Sequence, residues 1–344
     1  MTTKKPKKHI CILLAAILLA ALIPACSPAE KRSASYFDLF DTVITLTAYA
    51  DDRTFARMNE EAEASFRHYN ELFDVYNEYE GVNNLAVVNR RAGEATAVEP
   101  DVIGLIEKGV ELEKLTDGRV NIAMGAVLRL WHDCRINAEK DPYNAVIPTA
   151  EALDEAALHC WIDDVVVDRE GGTVLLRDPL MSLDVGAIAK GYAADKISEE
   201  LKGYGVPFLL NCGGAILTYG EKPGFKPWAA GIDDPFGDGF SATVKLVNSA
   251  LSTSGSYLRS FTAEGKEYGH IIDPDTLMPA DVLESVSVIM TGEWMACSAD
   301  ALSTACFILG AEEGMRLIDG IEGAEAMFVM KDGSLLFSEG FPHE

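Results

Sequence analysis

The sequence predicts an α+β fold built as a single large domain. Three observations point there. The chain has 344 residues, 48% of them apolar and 24% charged. That supplies a sizeable core and lies outside the ranges of disordered, collagen-like or coiled-coil chains. Segments with two-residue and with helical hydrophobic periodicity both occur, and they interleave irregularly rather than as repeated strand–helix units. No internal repeat and no mid-chain linker divides them.

The N-terminus comes first. Lys4, Lys5, Lys7 and Lys8 precede an apolar run from Ile10 to Ile23. The run is shorter than the roughly 20 residues that a spanning helix needs and has the flanks of a secretory signal peptide. It closes on Leu22-Ile23-Pro24-Ala25-Cys26, which resembles a bacterial lipobox. Cleavage before Cys26 would leave its thiol to carry lipid; an ordinary signal peptide with an incidental cysteine is the plainer alternative. Residues 1–25 therefore read as a lipoprotein signal peptide, 26–35 as a small, polar tether, and 36–344 as the folded domain. The location this implies is extracytoplasmic, at the cell membrane, with Cys26 as the anchor.

Along the domain, Tyr36–Ala50 alternates like a strand. Phe55, Met58, Ala62, Phe66 and Tyr69 recur at helical spacing. Pro100 opens a second helix that ends near Asp117-Gly118. Thr149–His159 is a short Ala-rich helix. Val165–Val167 and Thr173–Leu176 form a hairpin around Glu170-Gly171-Gly172. A strand at Met181–Asp184 feeds a glycine turn and a helix through Lys202. Strands are expected at Phe208–Asn211, Ala229–Ile232, Thr243–Val247, His270–Ile272 and Val286–Met290. Helices follow at Met295–Leu309 and Glu312–Ile318, then a last hairpin turning at Asp332-Gly333.

Charge excludes one class of partner. The chain has 29 Lys+Arg against 54 Asp+Glu, a net charge of −25. Removing residues 1–25 takes away four lysines and no acid, leaving −29. A chain of that sign is a poor binder of nucleic acid backbones. The remaining cysteines, Cys134, Cys160, Cys212, Cys297 and Cys306, are odd in number and lack paired spacing, so they form neither a disulfide framework nor a zinc site.

Three stretches carry possible chemistry. In Asp184-Val185-Gly186-Ala187-Ile188-Ala189-Lys190-Gly191-Tyr192 a strand ends in a carboxylate, a glycine turn follows and a helix begins. A helix start with a lysine suits an anion, although a purely structural turn fits these residues equally. In Ala299-Asp300-Ala301-Leu302-Ser303-Thr304-Ala305, Asp300 and Thr304 share one helix face. They can offer two hard oxygens to Mg²⁺; a helix-start carboxylate and a back-bonded threonine are the bland alternative. In Tyr268-Gly269-His270-Ile271-Ile272-Asp273-Pro274, His270 is a candidate general base or a structural residue at a strand start. The turns Asn211-Cys212-Gly213-Gly214 and Ser252–Tyr257 let backbone approach a ligand.

Taken together and in order, Asp184–Asp195, Asn211–Gly214, Ser254–Arg259, Tyr268–Pro274 and Asp300–Gly310 resemble the ApbE family of FAD:protein FMN transferases. The resemblance runs from about Tyr36 to Phe341. It implies an ApbE-like arrangement of mixed sheets with packed helices, and a Mg²⁺-dependent reaction in which FAD is split, AMP leaves, and FMN is attached to a Thr or Ser of an exported flavoprotein. It places the metal on the Ala187 carbonyl, Asp300 and Thr304, with Asp300 counted also among the catalytic residues. Asp184, Lys190, Ser254, Gly255 and Ile272 fall at FAD-binding positions, Phe40 and Tyr76 near the flavin, and His270 at the proposed base. The acceptors it suggests are subunits of Rnf- or Nqr-type redox complexes or extracellular flavin-carrying reductases. This chain departs from the family pattern in three places. Phe40-Asp41-Thr42 stands where Met-Gly-Thr is common, Asn83-Asn84 where Ser-Glu is common, and Ser256 replaces the Asp of Ser-Gly-Asp-Tyr. Three rival functions remain: a Mg²⁺-dependent FAD pyrophosphatase, a lipoprotein that binds flavin without turnover, and a solute-binding or adhesive surface lipoprotein.

Overall fold

A computed structural model describes residues 29–256 and 259–342. The expected signal peptide, Cys26 and the first tether residues lie outside the described residues. No helix among the described residues is long and apolar enough to cross a membrane.

The fold is the expected α+β type, organised on one eight-stranded antiparallel sheet. Its strands are β1 (Glu30–Leu39), β2 (Thr42–Ala50), β6 (Phe208–Cys212), β7 (Ala215–Tyr219), β10 (Ser249–Gly255), β13 (Ser285–Thr291), β14 (Ala324–Val329) and β15 (Leu335–Phe337), in that spatial order. Smaller sheets are β3 (Thr96–Ala97), β5 (Thr173–Leu176) and β4 (Val165–Asp168); β8 (Trp228–Asp233) with β9 (Phe240–Leu246); and β11 (Ser260–Ala263) with β12 (Lys266–Gly269). The described helices are α1 (Asp52–Phe73), α2 (Leu85–Arg90), α3 (Pro100–Leu115), α4 (Gly125–Lys140), α5 (Ala150–Ala157), α6 (Ala189–Lys202) and α7 (Met295–Asp319).

Among the described residues four apolar clusters hold these layers together, one of them packing Leu302 and Phe307 of α7 on Val286 and Val288 of β13 and Phe328 of β14. On one face of the sheet, Ile44, Leu46, Phe208 and Leu210 meet Phe66 of α1 and Ile197 and Leu201 of α6, all fully buried. On the other face the β8–β9 hairpin lays Trp228, Ile232 and Val244 over Leu251, Ile289 and Met327. A satellite core joins Val127 and Trp131 of α4 to Leu153 of α5 and Phe261 of β11. Each fully buried Leu, Ile or Phe is worth roughly 1.5–3 kcal/mol of apolar burial.

Several sequence expectations change. Tyr36–Ala50 is not one strand but the β1–β2 hairpin, and β1 starts at Glu30, inside the segment read as tether. Its Ser and Thr side chains look loop-like in sequence, yet they pair across the hairpin, with Ser33 to Thr47 at 3.0 Å and Ser35 to Thr45 at 3.2 Å. The turn is Phe40-Asp41, both at positive φ (51° and 53°), the conformation of a type I′ turn. Met181–Asp184 is not a strand. Asn89 bonds both the N–H and the C=O of Leu183, at 2.6 and 2.9 Å, and Asp184 N–H donates to Ile122 O at 2.8 Å. Side chain and loop thus replace a partner strand. Likewise β12 ends at Gly269, so His270–Ile272 is a loop whose only strand-like feature is a bridge from Ile272 to Pro279. Finally, Met295–Leu309 and Glu312–Ile318 run on as α7, broken at Gly310 (φ 78°, ψ 177°), a conformation open essentially to glycine alone.

Candidate active site

Packing of α6 against α7 builds the centre of the site. Gly191 faces the start of α7 so closely that a Cβ there would lie 2.3 Å from Ala296 O. Only glycine permits that approach. Two carboxylates then fasten the helices reciprocally. Asp195, on α6, accepts N–H bonds from Ala296 and Cys297 at 3.1 and 2.8 Å, capping α7. Asp300, on α7, accepts the Gly191 N–H at 2.9 Å near the start of α6. Burial pushes the Asp195 carboxyl up to about 7, against the pull of its two N–H donors.

Asp300 is nearly fully buried, and it is held on both oxygens. Ser252 of β10 donates to Oδ1 at 2.5 Å, and the Lys190 ammonium lies 3.5 Å from Oδ2. Thr304 donates to the Asp300 carbonyl at 3.1 Å and sits 3.3 Å from the Ser254 hydroxyl. The α6 start has no side-chain cap of its own residue, so its dipole end is suited to an anion.

These groups open onto a cleft of about 590 Å³. Phe40, Tyr76, Asp184, Ala187, Lys190, Ser254, His270, Ile272, Asp300 and Thr304 all line it. Gly255 is buried in β10 opposite Ser285 and is not among the lining residues. Of the two small-residue turns, Gly213, Ser252 and Ser254 reach the cleft wall, while Asn211, Cys212, Gly214 and Ser256 do not.

The opposite wall is loop and α4. His270 Nδ1 lies 3.1 Å from Arg259 O. That contact assigns the ring proton to Nδ1 and leaves Nε2 as an acceptor. The ring is solvent-accessible but walled in by the cleft. Desolvation, then the neighbouring Arg259 charge, lowers its pKa to about 4. Tyr76 stacks on His132 of α4, ring centroids 4.2 Å apart at 19°. Burial raises the Asp184 carboxyl, while the Gly186 N–H at 2.8 Å and the Tyr76 hydroxyl pull it back. The departure at Asn83-Asn84 is structural: Asn84 is buried, caps α2 through Val87 N–H, and donates to Glu71 and Asn77 carbonyls.

Arg119, His132, Arg135, Arg259 and Ser252 also line the cleft and were not singled out as individual candidates in the sequence. The arginines come from separate loops and helices, and nothing in their local spacing brings them together. Ser252 was legible only as part of a small-residue turn, whereas it is strand. The result is a partly aromatic cleft in which the cations Arg119, Arg135, Lys190 and Arg259 stand among the carboxylates Asp41, Asp74, Asp184 and Asp300.

Among the described residues no three His, Cys, Asp or Glu side chains cluster as metal ligands. The donors that share the cleft wall are instead a carboxylate, a hydroxyl and the Ala187 position in the α6 turn. Hard oxygens in small number match Mg²⁺, which keeps waters and phosphate oxygens for its other positions, so the residues present fit that ion.

Comparison with known proteins identifies the family. The ApbE family model matches residues 40–328. The chain is 35% identical over 275 residues to the FAD:protein FMN transferase of Treponema pallidum, covering 74% of this chain and 73% of that protein. It is 32% identical over 256 residues to a FAD:protein FMN transferase of Klebsiella pneumoniae, covering 73% and 76%. The crystal structure of the ApbE protein from Thermotoga maritima superposes with a TM-score of 0.81 at 27% identity, covering 92% of this chain and 100% of that one. In sequence and in fold, this chain belongs to the ApbE family.

Proposed function

We propose that the cleft transfers the FMN half of FAD to a Thr or Ser hydroxyl of an exported flavoprotein, with Mg²⁺, releasing AMP. The enzyme class is that of its relatives, FAD:protein FMN transferase, a transferase. The observation that carries the proposal is the meeting of Asp300, Thr304, Lys190 and His270 around one cleft.

In this reading Lys190 and the start of α6 hold the pyrophosphate. Asp300, Thr304 and the Ala187 carbonyl would hold Mg²⁺, which supplies charge neutralisation on the phosphates. The acceptor hydroxyl sits at His270 Nε2. Its oxygen bonds to the flavin-side phosphorus, its proton passes to Nε2, and the phosphorus–oxygen bond to AMP breaks. Holding the reactants in line supplies much of the remaining acceleration. Phe40, Tyr76, Asp184, Ser254 and Ile272 orient FAD. Subunits of Rnf- or Nqr-type complexes or extracellular flavin-carrying reductases fit the role of acceptor. Export and lipid anchoring at Cys26 rest on the basic and apolar N-terminal run and its lipobox-like end.

The test combines the mature chain with FAD, Mg²⁺ and an acceptor domain carrying a target Thr. Flavin that stays on the acceptor after denaturation, with stoichiometric AMP, is the expected result. AMP with only free FMN would identify a pyrophosphatase instead. No AMP under any metal condition would reject both. Asp300→Ala is expected to lower metal-dependent turnover at least about 100-fold, an effect on the scale of losing one stabilising charge in the transition state. Undiminished turnover would reject the metal assignment.

A further inference from the structure

The loop after α1 brings Tyr76 to the cleft, and its backbone is fixed locally. Asp74 accepts the N–H groups of Tyr76 and Asn77 at 2.7 and 2.9 Å, and the Tyr79 hydroxyl donates to its other oxygen at 2.9 Å. Those bonds place the Cα of Tyr76 but leave its ring free to rotate. The ring is 41% exposed. Besides the bond from its hydroxyl to Asp184, what holds it comes from α4. His132 stacks on it, and the Arg129 guanidinium lies 5.3 Å from its centroid. Arg129 and His132 are three residues apart, so they project from one face of α4.

His132 itself is set for this role. Arg135 lies 3.4 Å from Nδ1. Burial, and then that arginine, lowers its pKa. A neutral imidazole stacks on a phenol ring without bringing an ammonium-like charge into the cleft. Both rings line the same cleft, together with Asp184.

We infer that His132 is a positioning residue for flavin recognition: by stacking on Tyr76 it fixes that ring as a platform for the planar isoalloxazine of FAD. The inference rests on the FAD reading above and goes beyond it, because it assigns the orientation of the aromatic platform to a residue of α4. A platform locked before binding spares the ligand the cost of ordering it.

The experiment titrates the mature chain with FAD by flavin fluorescence, and with ADP by calorimetry, for the unaltered protein, His132→Ala and His132→Phe. An aromatic pair is worth about 3- to 10-fold in a binding constant. His132→Ala is expected to weaken FAD by about that factor and leave ADP unchanged, since ADP has no flavin ring. His132→Phe, which keeps a flat ring against Tyr76, is expected to restore FAD affinity. A general packing defect would weaken both ligands alike and would not be rescued by Phe. Equal loss for FAD and ADP, no loss in His132→Ala, or no rescue by His132→Phe would each overturn the inference. If the unaltered protein binds ADP but not FAD, it is the FAD reading that fails, and the two failures are thereby told apart.

Discussion

His270 is held in one tautomer by a backbone carbonyl and in one charge state by its surroundings. The Arg259 carbonyl takes the Nδ1 proton, and desolvation beside the Arg259 charge lowers the pKa to about 4. The neutral ring, the form that can accept a proton, therefore prevails at every pH well above 4. The limb of kcat/KM that reports His270 is expected to have its midpoint near 4, separate from any step near 7, where Asp195 takes up its proton. That limb centred instead near 6.5, the ordinary histidine value, would show that the ring is not desolvated as described. His270→Ala is expected to lower transfer by about 10²- to 10⁴-fold. At this scale much of the site was legible. Asp184, Ala187, Lys190, Asp300 and Thr304 sit in short runs whose helix spacing and turn chemistry are local. Arg119, Arg135, Arg259 and His132 were not, because they reach the cleft from a loop before α4, from α4 itself and from the segment before β11, far apart in sequence from those short runs.

The α6–α7 contact is the element on which the site depends. Asp195 and Asp300 each accept backbone N–H groups from the partner helix, and Gly191 sets how close the helices come. A Cβ at Gly191 would meet Ala296 O at 2.3 Å and Cys297 N at 2.6 Å. Backbone cannot rotate out of the way as a side chain can. Gly191→Ala is therefore expected to destabilise the fold by about 1–3 kcal/mol, the usual range for overpacking a tight interior, measured by denaturant unfolding. It would also move Asp300 relative to Lys190, so FAD-dependent turnover should fall further than stability alone accounts for. A variant as stable and as active as the original would mean the helices are not held this closely. Helices α1, α3 and α6 were legible, because they carry clear period or start signals, whereas α2 and α4 were not anticipated. Strand β10 was not. Its sequence, Ser249 to Gly255, looks like a small-residue loop. The hydroxyls find partners only in the folded state, where Ser252 donates to Asp300 and Thr253 meets Ser287 at 2.7 Å.

Across the whole molecule, acidity and anion binding are reconciled by distance. Net charge is −25, yet within the cleft Arg119, Arg135, Lys190 and Arg259 balance Asp41, Asp74, Asp184 and Asp300. Charges on the outer surface are screened over about 8 Å at physiological salt, so a dinucleotide in the cleft meets that local balance rather than the net charge of the whole chain. The other whole-molecule question is where the folded domain begins, because the polar segment read as tether is in part the edge strand of the large sheet. From Glu30 to Ser35, β1 covers the open edge of β2, pairing with Thr45 to Ala50. A chain starting at residue 29 keeps that cover. One starting at residue 36 loses it and leaves β2 an unpaired edge, a template for association. The expected outcome is that the first has the Tm of the mature protein, while the second melts lower by roughly 5 °C or more and aggregates at lower concentration, as read by scanning calorimetry and light scattering. Equal Tm values would restore residues 30–35 to the tether. The proposed anchoring would be a separate property of the preceding residues. In cells, Cys26→Ser is expected to move the protein from the membrane to the soluble exported fraction without altering FAD turnover by the purified domain. Continued membrane association of that variant would reject Cys26 as the anchor while leaving the edge-strand boundary intact.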